Sequence, residues 1–331
     1  MDTKTRVYIG CEILRYKLTG KPTPLIIGWI LTNRCNLRCK YCSMYRNKVK
    51  ELSTREVLSI IDEASNMGTK VIGFTGGEAL LRRDIAKILR HSKSRGITTG
   101  LLSNGVLFHR MIDDLDVIDF LDISLDGDKK VHDTQREGNS YNHVMKSIQA
   151  ATERNIKVTI NTTLTKDNLE CIDFVLEKAK EMGTDIMFCP VMRLPTSDDN
   201  KELMPAKRRF NECIKHLIAL KKSGNKYIAN SIICLKEMLD WPVYRKKKCY
   251  AGNLYCRIQA DGYLNICDMY NNNMDVLDCK KLGFSAAFQN LQSAKRRFSD
   301  RCVDCWDSSN LEMNRIMSFD IGSLINSIRF Y

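Results

Sequence analysis

The sequence predicts an α/β protein: a partial (β/α)6 TIM-like barrel followed by a smaller C-terminal α+β domain. Three observations carry this. Runs at 25–31, 70–75, 97–102, 119–125, 156–163 and 185–191 have strand length, and the first is almost continuously apolar, as a parallel strand buried on both faces requires. Helical periodicity lies between them, and strand–helix alternation implies a parallel sheet with right-handed crossovers. Six such units fall short of the eight that close a barrel, so the sheet stays open.

Each element has its own signal. Pro24-Leu25-Ile26-Ile27-Gly28-Trp29-Ile30-Leu31 is almost wholly apolar and forms the first strand, after a mixed lead-in over residues 1–23. Ser53-Thr54-Arg55-Glu56 reads as a capping box opening a helix, Val57, Ile60, Ile61 and Ala64 keep its period, and Gly68 ends it. Further helices are expected at 83–95, 141–154 and 168–182 within the barrel region 24–195. The polar run Pro195-Thr-Ser-Asp-Asp-Asn marks a boundary. A connector over 196–248 carries helices at 206–222 and 229–240, and the last unit spans 249–331. Within it, the alternation of Tyr255-Cys256-Arg257-Ile258-Gln259-Ala260, the turn Asp261-Gly262 and Tyr263-Leu-Asn-Ile signal a hairpin.

The chain has 331 residues, 44% hydrophobic and 27% charged, an ordinary globular balance. No apolar run nears a membrane span, and the start of the chain (Asp2, Lys4, Arg6) lacks a signal peptide's apolar core. The expected compartment is the cytoplasm, where fourteen cysteines point to metal ligation rather than disulfides. Net charge is +13, of which +9 falls in residues 201–331. That excess suits an anionic substrate, a nucleic acid or an anionic membrane surface, or is a solvated lysine-rich face. Arg245-Lys246-Lys247-Lys248 lacks the aromatic interleaving that would argue for RNA.

The chemistry gathers behind the first strand. Cys35, Cys39 and Cys42 stand at C-x3-C-x2-C spacing, close enough for thiolates to converge on one soft metal centre. A structural zinc site usually closes with four ligands, whereas three thiolates leave one iron of a [4Fe-4S] cube open. The spacing with Tyr41 before the third cysteine resembles the radical S-adenosylmethionine (radical SAM) enzymes. The resemblance implies that the open iron chelates SAM and cleaves it to a 5′-deoxyadenosyl radical, and it covers residues 24 to about 192.

Other motifs match in order. Gly76-Gly77-Glu78 resembles the family's Gly-Gly-Glu-Pro motif, with Ala79 in place of proline. The resemblance implies that the glycines let backbone approach a ligand and that Glu78 pairs with the ammonium of SAM. Ser103, Asn104 and Ser124 match positions offering hydroxyl and amide groups to SAM, and Arg136 would bind its carboxylate. Tyr41 belongs to the same set. His132 and His143 lack recognisable partners and read as satisfied surface histidines; the catalytic residue is not assigned.

A second cysteine set lies near the C-terminus: Cys249, Cys256, Cys267 after Gly262-x4, and the pair Cys302-x2-Cys305. The run is similar to the SPASM/twitch domains of radical SAM enzymes. The shorter twitch form fits, with Cys249, Cys267, Cys302 and Cys305 holding a second, auxiliary [4Fe-4S] cluster. Cys256 is a packed thiol or an alternative ligand, and a zinc site from the same four residues is the other reading. Cys11 reads as a packed thiol; Cys171, Cys189, Cys213, Cys234 and Cys279 read as core or surface thiols.

The expected function is that of a radical SAM oxidoreductase. It would abstract a substrate hydrogen and oxidise the substrate through the auxiliary cluster, with electrons from an external donor such as flavodoxin or ferredoxin. The substrate would be a small molecule, or a precursor peptide delivered by a partner as in peptide-modifying maturases, because few residues precede strand one. A non-catalytic iron–sulfur or zinc protein binding nucleic acid is the reading from another class.

Overall fold

The computed structural model describes residues 3–192, 200–243, 248–267, 277–298 and 305–330. Helix α1 (Thr3–Thr19) precedes strand β1 (Ile26–Thr32), and α2 (Thr54–Asn66) returns to β2 (Val71–Gly76). The pattern continues with α3 (Ile85–Ser94), β3 (Thr98–Ser103), the short α4 (Phe108–Met111), β4 (Phe120–Ser124), α5 (Lys129–Arg136) and α6 (Tyr141–Glu153). Strand β5 (Lys157–Leu164), α7 (Ile172–Glu181) and β6 (Asp185–Pro190) complete six parallel units. Then follow α8 (Lys207–Lys222), α9 (Ile232–Met238), β7 (Tyr255–Ile258) and β8 (Leu264–Asn265). The chain closes with α10 (Cys279–Leu282), α11 (Phe284–Phe298), α12 (Ser308–Met317) and α13 (Ile321–Phe330).

The strands join one sheet in the order β6-β5-β4-β3-β2-β1-β7-β8. The expected partial (β/α)6 barrel is there, and the C-terminal hairpin extends its sheet. Strand β7 runs parallel to β1, pairing Ile26 with Tyr255 and Trp29 with Ile258, and β8 returns antiparallel. This pairing joins segments more than two hundred residues apart, which no local pattern reveals. The expected break at 195/196 lies outside the described residues.

Burial alternates along the strands. On β4 and β5, Leu121, Ile123, Val158 and Ile160 enter the apolar core with α6, while Asp122, Ser124, Thr159 and Asn161 line the half-buried opposite face. Each fully buried aliphatic side chain contributes about 1.5–3 kcal/mol. The inner face is therefore polar and accessible, which suits a site rather than a core.

The lead-in is not irregular: α1 occupies most of it. Only Ile13 of this helix is buried, and Val7, Leu14 and Leu18 are exposed, so no apolar stripe announces it. Polar and aromatic contacts hold it instead. Asn253 Nδ2 donates to the Tyr16 hydroxyl at 2.6 Å, and the Tyr16 ring meets Tyr250 edge-on at 6.1 Å. Cys11, expected to be packed, is exposed on this helix. The capping box of α2 forms as read: Glu56 N donates to Ser53 Oγ (3.3 Å) and Ser53 N to Glu56 Oε2 (2.7 Å).

Candidate SAM and iron–sulfur site

The end of β1 feeds directly into the cysteine loop, which is pinned at several points. Asn33 Nδ2 donates to Asn47 O at 2.9 Å, Lys40 N to Gln135 O at 3.0 Å, and Cys42 N to Cys39 O at 3.0 Å. Leu37 is buried and anchors the middle. Three N–H groups point at sulfur: Leu37 N at Cys35 Sγ (3.4 Å), Asn104 Nδ2 at Cys35 Sγ (3.8 Å) and Arg136 Nη1 at Cys39 Sγ (4.0 Å). Donors aimed at sulfur favour the thiolate, the form that ligates metal. Burial opposes it, raising the Cys35 thiol and pushing Cys39 up to about 11, with neighbouring carboxylate and thiol charges adding to the rise. Metal binding here must therefore release protons.

Gly76, Gly77 and Glu78 lock against this loop. Gly77 N donates to Thr32 O and Glu78 N to Arg34 O, both at 2.8 Å. A Cβ on Gly76 would stand 2.2 Å from Thr32 O, and one on Gly77 would stand 2.4 Å from Arg34 O. The paired glycines thus serve the close approach of one backbone to another, rather than only approach to a ligand. Glu78 is buried, and its carboxylate accepts from Leu80 N (3.1 Å), Ser103 Oγ (3.1 Å) and Asn104 N (2.8 Å). Burial raises its carboxyl despite those donors. From the same β3 end, Asn104 Nδ2 reaches Asn36 Oδ1 at 2.8 Å, tying Ser103-Asn104 to the cysteine loop.

Sequence reasoning missed the residue that joins the remaining parts. Asp126, just past β4, is fully buried and accepts from Tyr41 Oη (2.8 Å), Arg136 Nε (2.7 Å) and Thr163 N (3.0 Å). Burial works against its charge, yet Arg136 and the other donors outweigh it and hold the carboxyl below its ordinary range. Burial likewise opposes the Arg136 charge, and Asp126 more than compensates, raising that guanidinium. The Tyr41 hydroxyl is pushed up by burial and by Asp126. The signal was available in Ser124-Leu125-Asp126-Gly127, which resembled a turn more than a hub. Ser124 itself ends β4 on the inner face, paired in register with Asn161.

His132 is not a surface histidine. It is fully buried, accepts from Asp126 N at Nδ1 (3.2 Å) and contacts Ser140 Oγ through Nε2 (2.9 Å). The backbone donor fixes the proton on Nε2. His143 is half-buried and stacks on His109 at 5.2 Å.

The second cysteine set gathers around Tyr255. Its buried hydroxyl is raised by burial first, and then by the thiols of Cys249, Cys305 and Cys267, which all lie within electrostatic reach. Cys249 Sγ contacts Tyr255 Oη at 3.5 Å and receives Asn314 Nδ2 at 3.7 Å. Cys302 lies outside the described residues. Cys256, next to Tyr255, projects to the other face of β7, as strand alternation requires, and faces Cys279 in the apolar core. Burial pushes the Cys256 thiol well up.

The soft thiolate donors of the first set, with N–H groups aimed at sulfur, suit a soft metal centre. Beside the first set a cavity of about 380 Å³ is lined by Cys39 and Cys42 with Arg38, Lys40, Arg46, Asn200 and Glu202. Asn200 Nδ2 donates to Tyr41 O (3.1 Å), closing it from the α8 side. No helix among the described residues is long and apolar enough to cross a membrane.

Residues 29–179 match the family model described as Radical SAM superfamily. Relatives include the AdoMet-dependent heme synthase of Methanosarcina barkeri, 32% identical over 193 residues, 55% of each chain. They also include the GTP 3′,8-cyclase of Synechocystis, 27% identical over 80% of this chain and 85% of that one. The chain thus spans about half the length of the first of these relatives. In fold it is similar to native anSMEcpe with bound AdoMet and Cp18Cys peptide. That match has TM-score 0.68 and 15% identity, covering 92% of this chain and 99% of that chain. The cysteine loop, the Gly-Gly-Glu turn and the β3 and β4 ends all fall inside residues 29–179, the stretch that matches the radical SAM superfamily.

Proposed function

We propose that this protein is a SAM-cleaving radical enzyme that oxidises its substrate with the help of an auxiliary cluster. The observation that carries the reading is the joining of four strand ends: Asn104 to Asn36 and Cys35, Glu78 to Asn104, and both Arg136 and Tyr41 to Asp126. Cys35, Cys39 and Cys42 would hold a [4Fe-4S] cluster, which when bound supplies reductive cleavage of SAM to methionine and a 5′-deoxyadenosyl radical. Gly76, Gly77, Glu78, Ser103, Asn104, Ser124 and Arg136 would seat SAM. Arg136 is well placed for a carboxylate: Asp126 holds its Nε, and a terminal nitrogen faces Cys39.

Cys249, Cys267, Cys302 and Cys305 would hold the auxiliary [4Fe-4S] cluster, in a unit spanning 249–331 beside the SAM-binding unit at 24–195. The gathering of Cys249, Cys267 and Cys305 about Tyr255 supports this. Four thiolates complete a cube, which suits electron acceptance more than substrate chelation. The polar inner face of β4 and β5 suits a substrate rich in hydrogen-bonding groups. Relatives named as a heme synthase, a GTP cyclase and the PqqA peptide cyclase show that both small molecules and peptides are substrates of this fold's relatives. Anaerobic reconstitution with iron counting and a 5′-deoxyadenosine assay tests the reading. About 8 irons and SAM cleavage under reductant are expected for two cubes, and absence of 5′-deoxyadenosine refutes it.

A further inference from the structure

A row of glycines crosses the inner face of the sheet: Gly28, Gly73 and Gly100 stand opposite one another on β1, β2 and β3. At one end Arg257, paired with Gly28, lays its side chain flat across that glycine, and a Cβ there would collide with the guanidinium. At the other end the Phe120 ring covers Gly100 in the same way. Between them, a Cβ on Gly73 would meet only Leu102 Cδ1 within 4 Å, at 3.5 Å. The centre of the row is thus a bare backbone floor between a cation and an aromatic ring.

Asn265 continues the row on β8. It stands opposite Arg257 in the antiparallel pair, and opposed residues share a face, so it belongs to this inner surface, two positions before Cys267. It is 3% exposed, and neither its Nδ2 nor its Oδ1 has a hydrogen-bond partner. A buried amide with both groups unmet is costly, and native structures hold few of them. A sulfur centre on Cys267 could at most accept from Nδ2, leaving Oδ1 in need of a donor. A group that donates and accepts together, as a peptide amide does, answers both.

We propose that Asn265 and Arg257 form the seat for an acidic peptide segment of the substrate, Asn265 pairing with one backbone amide and Arg257 with a carboxylate; the proposal rests on the SAM-cleaving reading above. The planar guanidinium suits a carboxylate, and its charge sits in the lumen over β1. Two strand spacings, about 10 Å, separate it from Asn265 on β8. Three extended residues cover about that length, which a single small amide does not. Beyond the carboxylate, the bare floor at Gly73 leaves room for a neighbouring side chain against the Phe120 ring.

The test measures binding to the reconstituted chain with SAM present and no reductant. The probe is a blocked, fluorescently labelled pentapeptide of alanines with a central glutamate. It is compared with a central-glutamine version, with versions in which each amide in turn is an ester, and with free N-acetylglutamate. Wild type should bind the glutamate peptide about tenfold or more tighter than the glutamine one, and should lose a similar factor at one ester position. Asn265→Leu should erase the ester effect and Arg257→Met the glutamate preference, each leaving the other in place. In urea, peptide-free Asn265→Leu should be at least as stable as wild type, because it removes both unmet groups, whereas an asparagine with a structural role would cost stability when lost. The proposal is overturned if wild type shows neither preference, if both preferences survive the substitutions, if Asn265→Leu is destabilised, or if N-acetylglutamate binds as tightly as the pentapeptide. Formation of 5′-deoxyadenosine by wild type with dithionite is measured separately. Its absence would refute the SAM-cleaving reading, and the peptide comparison would still report on the seat.

Discussion

Arg136 Nε donates to Asp126 Oδ2 at 2.7 Å, in an ion pair whose side chains are 7% and 0% exposed. The same carboxylate oxygen takes the Tyr41 hydroxyl, so one buried charge connects the β4 end, α5 and the cysteine loop. A buried pair of this kind adds little net stability, but removing one partner leaves an uncompensated charge. Asp126→Asn should therefore destabilise the fold by about 3–5 kcal/mol. Urea unfolding of Asp126→Asn, Arg136→Met and the double variant measures it, with the double costing clearly less than the two singles added. Additive losses would show that the pair does not act as a unit.

The three cysteines of the loop should be separable from the C-terminal set. Replacing Cys35, Cys39 and Cys42 together with alanine should abolish 5′-deoxyadenosine formation and leave about 4 irons of about 8, as two separately ligated cubes require. Persistent SAM cleavage in that variant would remove the basis of the proposed function.

Much of this was legible because it is local. The six strand-length runs placed each strand within about two residues, since the core-facing positions of every strand are largely apolar even where the other face is polar. The cysteine spacing and Gly76-Gly77-Glu78 were equally plain, for their chemistry is written in adjacent residues. What was hidden depends on distant partners. The α1 helix buries only Ile13 and takes its support from Asn253 and Tyr250. His132 looked unpartnered because its acceptor role needs the Asp126 backbone, and Asp126 looked like a turn residue because its donors come from three different segments. The parallel pairing of β7 with β1 has no sequence signal at all.

Glu78 is expected to act on SAM and on the site's own frame. Glu78→Gln keeps the shape but loses a charge that three donor residues now share. SAM affinity should weaken by about 1–3 kcal/mol, the scale of one charge-assisted hydrogen bond, with iron content unchanged. Equilibrium dialysis of SAM against the reconstituted variant reads both quantities. If affinity is unchanged in both Glu78→Gln and Arg136→Ala, neither residue seats SAM.

His132 sets a lower pH limit on the fold. Burial first, and then the Arg136 charge, lower its pKa from 6.5 to about 4. A depressed histidine means that the unfolded chain binds the proton first, so stability holds above about pH 6.5 and falls as pH drops towards 4. At pH 5 the loss from this group is about 2 kcal/mol relative to pH 8. Urea unfolding of wild type and His132→Gln at both pH values isolates it, because carboxylates common to the two proteins cancel. A difference between pH 5 and pH 8 of the same size in the variant would show that His132 is not the group responsible.

The last prediction separates Cys249 from Cys256. Both fit a metal-binding reading of the sequence, and they stand only seven positions apart. The strand between them decides. Tyr255 faces the thiols of Cys249, Cys267 and Cys305, so Cys256, one residue on, faces the opposite side of β7 and meets Cys279. A thiol buried there cannot reach the cluster without reversing the strand, which would break its pairing with Ile27 on β1. Cys256→Ala should keep about 8 irons per chain and lose stability on the scale of one small core truncation, about 1 kcal/mol. Cys249→Ala should lower the count towards 4 or give a cube with an open iron, visible as a changed electron paramagnetic resonance signal in a protein already lacking Cys35, Cys39 and Cys42. The opposite result, iron lost with Cys256→Ala and kept with Cys249→Ala, would mean that β7 is turned over when the cluster is bound.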